Sequence, residues 1–163
     1  MDEAFIKKVQ PNSPEAEQSV IGAMIMDRDA IADVIDIVSA DDFYQKQNGI
    51  LFEAMTELYR EGKPVDLVTL QNKLKKKDVP ESMKSLEFIR DLLEAVPTSA
   101  NAKQYAKIVS EKATLRKLIK VTEDITTECY LGKDDVTEIL DHTEKNVFGL
   151  LQQASGREDF VPI

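Results

Sequence analysis

PTSANAKQYAKIVSEKATLRKLIKVTEDITTECYLG, residues 97–132, reads as one uninterrupted helix. Pro97-Thr98-Ser99-Ala100-Asn101 supplies the start signal and Leu131-Gly132 the stop, with no breaker between them. After a short turn, a second helix is predicted from Asp134 to Gln153. Two long helices joined so closely must fold back as an antiparallel hairpin. A hairpin buries only part of its own apolar surface, so association is the first function to test, ahead of chemistry.

The spacing within each arm sets the expected contacts. In the second arm Val136, Leu140, Thr143, Val147 and Leu150 step by 4, 3, 4, 3, a heptad seam. In the first arm the seam is Tyr105, Ile108, Lys112, Leu115, Ile119 and Thr122, diluted by its polar members. Val109, Leu118, Val121 and Ile125 fall off that seam. Two helices cannot cover apolar residues on both sides of one arm, so a helical body or another chain must cover the remainder. Tyr105 to Val109 are expected against the body, and Leu118, Val121 and Ile125 against a partner.

Upstream, five shorter helices are predicted. Asn12-Ser13-Pro14-Glu15 starts the first, with a polar cap, Pro in the first turn and acid at the positive helix end. Asp29 is a candidate cap for the second, whose apolar face is Ile31, Val34, Ile35 and Val38. The third covers about Gln47 to Arg60 and stops at Gly62. Lys63-Pro64-Val65 is extended, and Asp66 caps the fourth, which runs through Lys76. The fifth, about Met83 to Ala95, turns Leu86, Ile89, Leu92 and Leu93 inward. No strand-like alternation occurs. The expected fold is all-α: a flexible arm at 1–12, a globular helical head at 13–97 and a protruding antiparallel helical hairpin at 98–153. Residues 154–163, which include Ser155-Gly156, read as a linker.

Composition narrows the function classes. Lys and Arg number 21 against 30 Asp and Glu, a net charge of −9 that opposes general nucleic-acid binding. Residues 100–132 carry six Lys/Arg and four acids, whereas 133–163 carry three and seven, so the arms are weakly complementary. One cysteine, Cys129, excludes an internal disulfide. The longest apolar run, Val20 to Met26, is far short of the ~20 residues of a membrane span, and Met1 to Lys8 lacks the order of a signal peptide. A cytoplasmic protein is expected.

Motifs for chemistry are missing. Gly62-Lys63 and Gly132-Lys133 lack the upstream glycine of a phosphate-binding loop, and no Gly-x-Gly occurs. His142 stands alone in an acidic helical stretch, and Cys129 has no neighbouring base. Asp41-Asp42 and Asp134-Asp135 sit where helix starts favour acid. Lys73 to Lys77 is the one basic run, placed at a helix C-terminus where cations are favoured. A phosphate contact is its alternative reading.

Short segments spread along the chain carry a family likeness. Glu15-Ala16-Glu17-Gln18-Ser19-Val20-Ile21-Gly22 resembles the opening helix of the N-terminal domain of bacterial replicative DNA helicases of the DnaB type. Asp42-Phe43-Tyr44, Leu51-Phe52 with Met55, Gly62-x-Pro64-Val65-Asp66-Leu67-Val68-Thr69-Leu70, and Pro97-Thr98-Ser99-Ala100-Asn101 with Tyr105-Ala106 and Ile108-Val109 follow in order. Each is weak alone; five in register across about 13–153 are not. The chain departs from the family at Asn48, often His, and at Lys84-Ser85, often Gly-Gly. The second departure predicts a fifth helix that begins earlier.

The resemblance implies a helical head with a protruding hairpin. It implies hairpins that pair between subunits, and dimers that close as a trimer of dimers into one tier of a hexameric ring. It further implies a surface for primase and one that can engage the helicase loader. ATP and Mg would belong to a C-terminal ATPase domain that this chain lacks, leaving no catalytic, cofactor or metal residues here. For self-association the expected anchors are Leu115, Leu118, Ile119, Ile125, Val147 and Leu151; for a primase-like partner, Phe88, Ile119 and Ile125. The rivals are the helicase-binding domain of a primase, another helical interaction module, and an enzyme built on scattered carboxylates.

Overall fold

A computed structural model describes residues 9–94 and 101–157. Among these every regular element is helical: α1 Pro14–Met26, α2 Arg28–Ile35, α3 Lys46–Arg60, α4 Leu67–Lys75, α5 Leu86–Glu94, α6 Ala102–Leu131 and α7 Val136–Arg157. Single 3-10 turns occupy Ala40–Asp42 and Glu81–Lys84. Residues 97–100, which carry most of the start signal of the long helix, lie outside the described residues.

Local chemistry sets most boundaries. The Ser13 hydroxyl accepts from the Ala16 N–H at 3.3 Å, and Pro14 fills the first helical position. Gly62, at φ 71°, ends α3: the Lys63 N–H bonds the Leu58 carbonyl at 3.0 Å and the Gly62 N–H that of Tyr59 at 3.1 Å, a Schellman arrangement. Asp66 and Thr69 cap α4 reciprocally, with bonds of 2.8 and 2.9 Å. Gly132, at φ 58°, ends α6.

Three boundaries differ from expectation. The cap of α2 is Asp27, not Asp29: Asp27 leaves α1 with extended backbone, and its carboxylate accepts from the Asp29 N–H at 3.0 Å. One residue therefore ends α1 and starts α2. The helix α5 does not begin early. Ser85 is extended, and its hydroxyl accepts from the Phe88 N–H at 3.2 Å, so a side-chain cap separates α5 from the preceding 3-10 turn. At the far end, α7 runs through Arg157, four residues into the segment read as linker.

The chain divides into two compact units, residues 12–112 and residues 1–11 with 113–163. The division falls inside α6. In the first unit Ile21, Met24, Ile31, Leu51, Met55, Leu70, Leu74 and Ile89 are fully buried. Ala102, Ala106 and Val109, from the first three turns of α6, join the same cluster. Phe43 and Phe52 stack at 5.2 Å between ring centres. Gly49 of α3 lies so close to the 3-10 turn that a Cβ there would sit 2.8 Å from the Ala40 carbonyl oxygen. In the second unit Arg116 donates to the Pro11 carbonyl at 2.7 Å, tying the end of the N-terminal arm to α6.

Candidate interaction surfaces

The chemistry-bearing side chains of the first unit serve the fold. Glu17 of α1 is 2% exposed, which demands partners for its carboxylate. It accepts from the Tyr44 N–H at 2.9 Å, the Gln45 N–H at 3.1 Å and Asn48 Nδ2 at 3.2 Å. Gln45 precedes α3 and makes no cap bond with its own side chain. The acid on α1 thus caps a helix that begins 29 residues later in the sequence. Asn48 stands where the resembled family often has His, and here it donates into this lock.

Two of the four lysines in the basic run are likewise engaged. Lys73 Nζ lies 2.8 Å from Glu61 Oε1 and 3.3 Å from Glu57 Oε2, and Lys77 Nζ lies 2.8 Å from Glu57 Oε1. Lys63 adds a bond of 2.8 Å to Glu61. Two lysines four residues apart, on α4 and just past its end, meet two glutamates four apart, on α3 and at its C-cap. The Lys77 ammonium, ahead of Lys73, holds the Glu57 carboxyl below its ordinary range despite partial burial. Lys63 first, then Lys73, bring Glu61 down to about 2. Helix-end electrostatics alone, the expectation from sequence, omits these specific acids.

A cavity of about 290 Å³ opens beside Ile35, Val38, Phe52, Thr56 and Arg60. The Thr56 hydroxyl is buried without a hydrogen-bond partner. Among the described residues no group of His, Cys, Asp and Glu is arranged to hold a metal, and no helix is long and apolar enough to cross a membrane.

The second unit presents the apolar surface. Beyond Lys112, α6 half-buries Val121, Ile125 and Glu128, while α7 half-buries Ile139, Thr143 and Val147 and buries Leu150. His142 Nδ1 approaches Glu128 Oε1 at 4.0 Å, linking the two arms. The expected heptad seam of α7 holds at Thr143, Val147 and Leu150 and departs from expectation toward the turn. Val136 and Leu140 are 72% and 63% exposed, and Ile139 takes the inward position. A straight helix drifts about 20° per heptad, and in two short arms the packed stripe follows the 3.6-residue period rather than a 3.5-residue one. The seam expected on α6 is displaced the same way. Leu115 and Thr122 are exposed, whereas Val121 and Ile125, expected off the seam, are half-buried.

An exposed uncharged stripe results. Leu115, Leu118, Thr122, Thr126 and Cys129 recur at helical spacing along one side of α6. The Thr122 hydroxyl bonds back to the Leu118 carbonyl at 2.9 Å, and that of Thr126 to Thr122 at 2.8 Å. With its donor spent on the helix backbone, each threonine turns toward solvent as a largely apolar group. At 100° per residue in antiparallel arms, Leu140 and Leu151 of α7 fall on the same flank of the hairpin as Leu115 and Leu118. The opposite flank carries Lys120, Asp124, Asp135, His142 and Asn146.

Of the expected anchors, Leu115, Leu118 and Leu151 therefore share one exposed face. Ile125 and Val147 lie on the sides that the arms turn toward each other, and Ile119 is half-buried at the edge of the α6 stripe. Phe88 of α5 packs, partly buried, against the core of the first unit, whereas Ile119 and Ile125 belong to the second. Leu140, Thr122, Thr126 and Cys129 were not among the expected anchors. The sequence signal for them is the lack of any charge at 115, 118, 122, 126 and 129 in a helix otherwise rich in charge.

Residues 9–111 match the family model described as the DnaB-like helicase N-terminal domain. The replicative DNA helicase DnaB of Geobacillus stearothermophilus is 35% identical over 153 residues, covering 94% of this chain and 34% of the relative. The chain thus spans about a third of the length of the curated relatives it matches. The crystal structure of the N-terminal domain of DnaB helicase from Mycobacterium tuberculosis superposes with a TM-score of 0.81 at 34% identity, covering 86% of this chain and 99% of that one. The N-terminal domain of DnaB helicase from Helicobacter pylori, described with its interactions with primase, superposes at 0.62 with 23% identity, covering 80% and 99%.

Proposed function

Because this chain belongs to the DnaB-like helicase N-terminal domain family, we propose that it is the non-catalytic assembly and docking domain of a replicative DNA helicase. In this reading the hairpin pairs with that of a second subunit, and the dimers close into the N-terminal tier of a hexameric ring in the cytoplasm. ATP binding, Mg2+ and strand translocation would belong to the part of the longer relatives that this chain does not span. Primase is the docking partner, with Phe88 of the first unit as a candidate contact, and a helicase loader can use the same tier.

The observation that carries self-association is the solvent-exposed apolar patch on one flank of the hairpin, with Leu115 and Leu118 from α6 and Leu140 and Leu151 from α7. Such a patch on a small domain is the usual mark of a protein interface. A few large apolar anchors dominate interface energies, at ~2 kcal/mol or more each. The test is mass in solution across a concentration series for the wild type and for Leu115→Asp/Leu118→Asp. The variant is expected to be monomeric at unchanged helicity. A variant that associates like the wild type would remove the role assigned to this face. A pull-down with the helicase-binding domain of primase, using Phe88→Asp, tests the docking surface separately.

A further inference from the structure

The cleft of about 290 Å³ in the first unit runs along one side of α3. Glu53, Thr56, Glu57 and Arg60 follow at intervals of three, one and three, which puts them on a single face of that helix. Ile35 at the end of α2, Val38 beyond it and Phe52 of α3 supply apolar walls. The size lies at the lower edge of the range for ligand pockets and suits one inserted side chain rather than an enclosed cofactor.

The charges at the two ends of this face are free. Glu53 and Arg60 are exposed, and among the described residues neither side chain has a hydrogen bond or an ion pair. Glu57, between them, is occupied by Lys73 and Lys77. The Thr56 hydroxyl has no partner either, although a helical threonine commonly bonds back to the carbonyl four residues before it. The face therefore offers an acid, an apolar hollow and a base in that order. Acid and base stand about 10.5 Å apart along the axis, from their seven-residue separation at 1.5 Å each.

We propose that this cleft docks a helix of another protein, one that carries an acid and a base seven residues apart with a Leu- or Met-sized side chain between them. A helix meets that spacing from one face, because positions i, i+3 and i+7 lie together. An extended segment covers the distance in about three residues and turns the first and last to opposite sides. The docked helix runs antiparallel to α3. In that direction the acid that meets Arg60 lies toward its N-terminus and the base that meets Glu53 toward its C-terminus, the order that its own dipole favours. The parallel direction requires the reverse order. The site shares no residue with the hairpin face and does not include Phe88, so its failure would leave the roles assigned to both unchanged.

The test is a selection on the full chain at low salt, from a phage library of Ala-rich helical peptides of about fifteen residues varied at their central positions. Enriched peptides are expected to read acid-x-x-apolar-x-x-x-base. The strongest is then labelled and followed by fluorescence anisotropy against wild type and Glu53→Lys/Arg60→Glu, with helicity checked for each protein. Affinity is expected to fall about tenfold on the double variant and to recover about fivefold when the acid and base of the peptide are exchanged. Glu53→Gln/Arg60→Gln, which adds no new charge, should cost about threefold. Replacing the central apolar residue of the peptide by Ala should cost about tenfold on wild type. Enrichment of peptides without that order, equal binding to wild type and the double variant, or a loss that the exchange does not restore overturns the proposal. A selection that enriches no peptide overturns it as well.

Discussion

Replacing Glu17 tests whether a buried carboxylate on α1 holds the start of α3. Three donors converge on it: Glu17 Oε1 takes the Gln45 N–H and Asn48 Nδ2, and Oε2 takes the Tyr44 N–H. In Glu17→Gln the amide oxygen can serve the first two donors, but the amide nitrogen then faces the Tyr44 N–H, which goes unbonded. A buried donor left unsatisfied costs about 1–3 kcal/mol. Glu17→Ala abandons all three donors and leaves a void, for a loss of about 3–5 kcal/mol. Urea unfolding followed by circular dichroism at neutral pH gives each value as a midpoint shift at constant slope. Glu15→Gln, two residues away and exposed, is the control and should stay within about 0.5 kcal/mol of wild type. If Glu17→Ala also stays within that margin, the remote-cap argument is wrong. If Glu17→Gln loses as much as Glu17→Ala, the carboxylate acts through charge rather than through the number of acceptors.

Other outcomes follow from single contacts. Glu57 and Glu61 ionise below the ordinary value of 4.5, Glu61 at about 2, so their pairing with lysines is fully present above pH 4.5 and is lost as pH falls toward 2. Lys73→Met/Lys77→Met should therefore flatten the decline in stability across that window; an unchanged acid limb would contradict the pairing. Gly49→Ala places a methyl 2.8 Å from the Ala40 carbonyl and should lower stability by about 1–3 kcal/mol in thermal or urea unfolding. Gly62→Val forces a β-branched residue to φ 71° and should cost about 1–2 kcal/mol, whereas Gly149→Ala, with open space around it, should be neutral or stabilising.

How much was legible depends on the range of the interaction. Caps and stops act over three or four residues, and Ser13-Pro14, Gly62, Asp66 and Gly132 do in the structure what their spacing predicts. Asp27 and Asp29 are both acids within two residues of the same break, and only backbone direction decides which one caps. Ser85 escaped because a departure from the Gly-Gly pattern suggested continuity, although a serine caps as well as a glycine breaks. The three-donor lock on Glu17 spans 27 to 31 residues and leaves no periodic trace. The likeness of Glu15 to Gly22 to a family motif marked the place without giving the reason. The hairpin was legible as two helices and a turn, and Thr143, Val147 and Leu150 were among the expected inward residues, while the remainder of the stripes was not legible, because a diluted heptad and a 3.6-residue period diverge within two arms. Glu15 to Gln18 and Pro97 to Asn101 favour the helicase side over the helicase-binding domain of a primase, and the family match agrees.

The bonds from Lys73 and Lys77 to glutamates of α3 bear on the company this domain can keep. Two of the four lysines in its one lysine-rich segment spend their charge on these acids, so under a surplus of nine negative charges the segment offers a phosphate less than its sequence suggests.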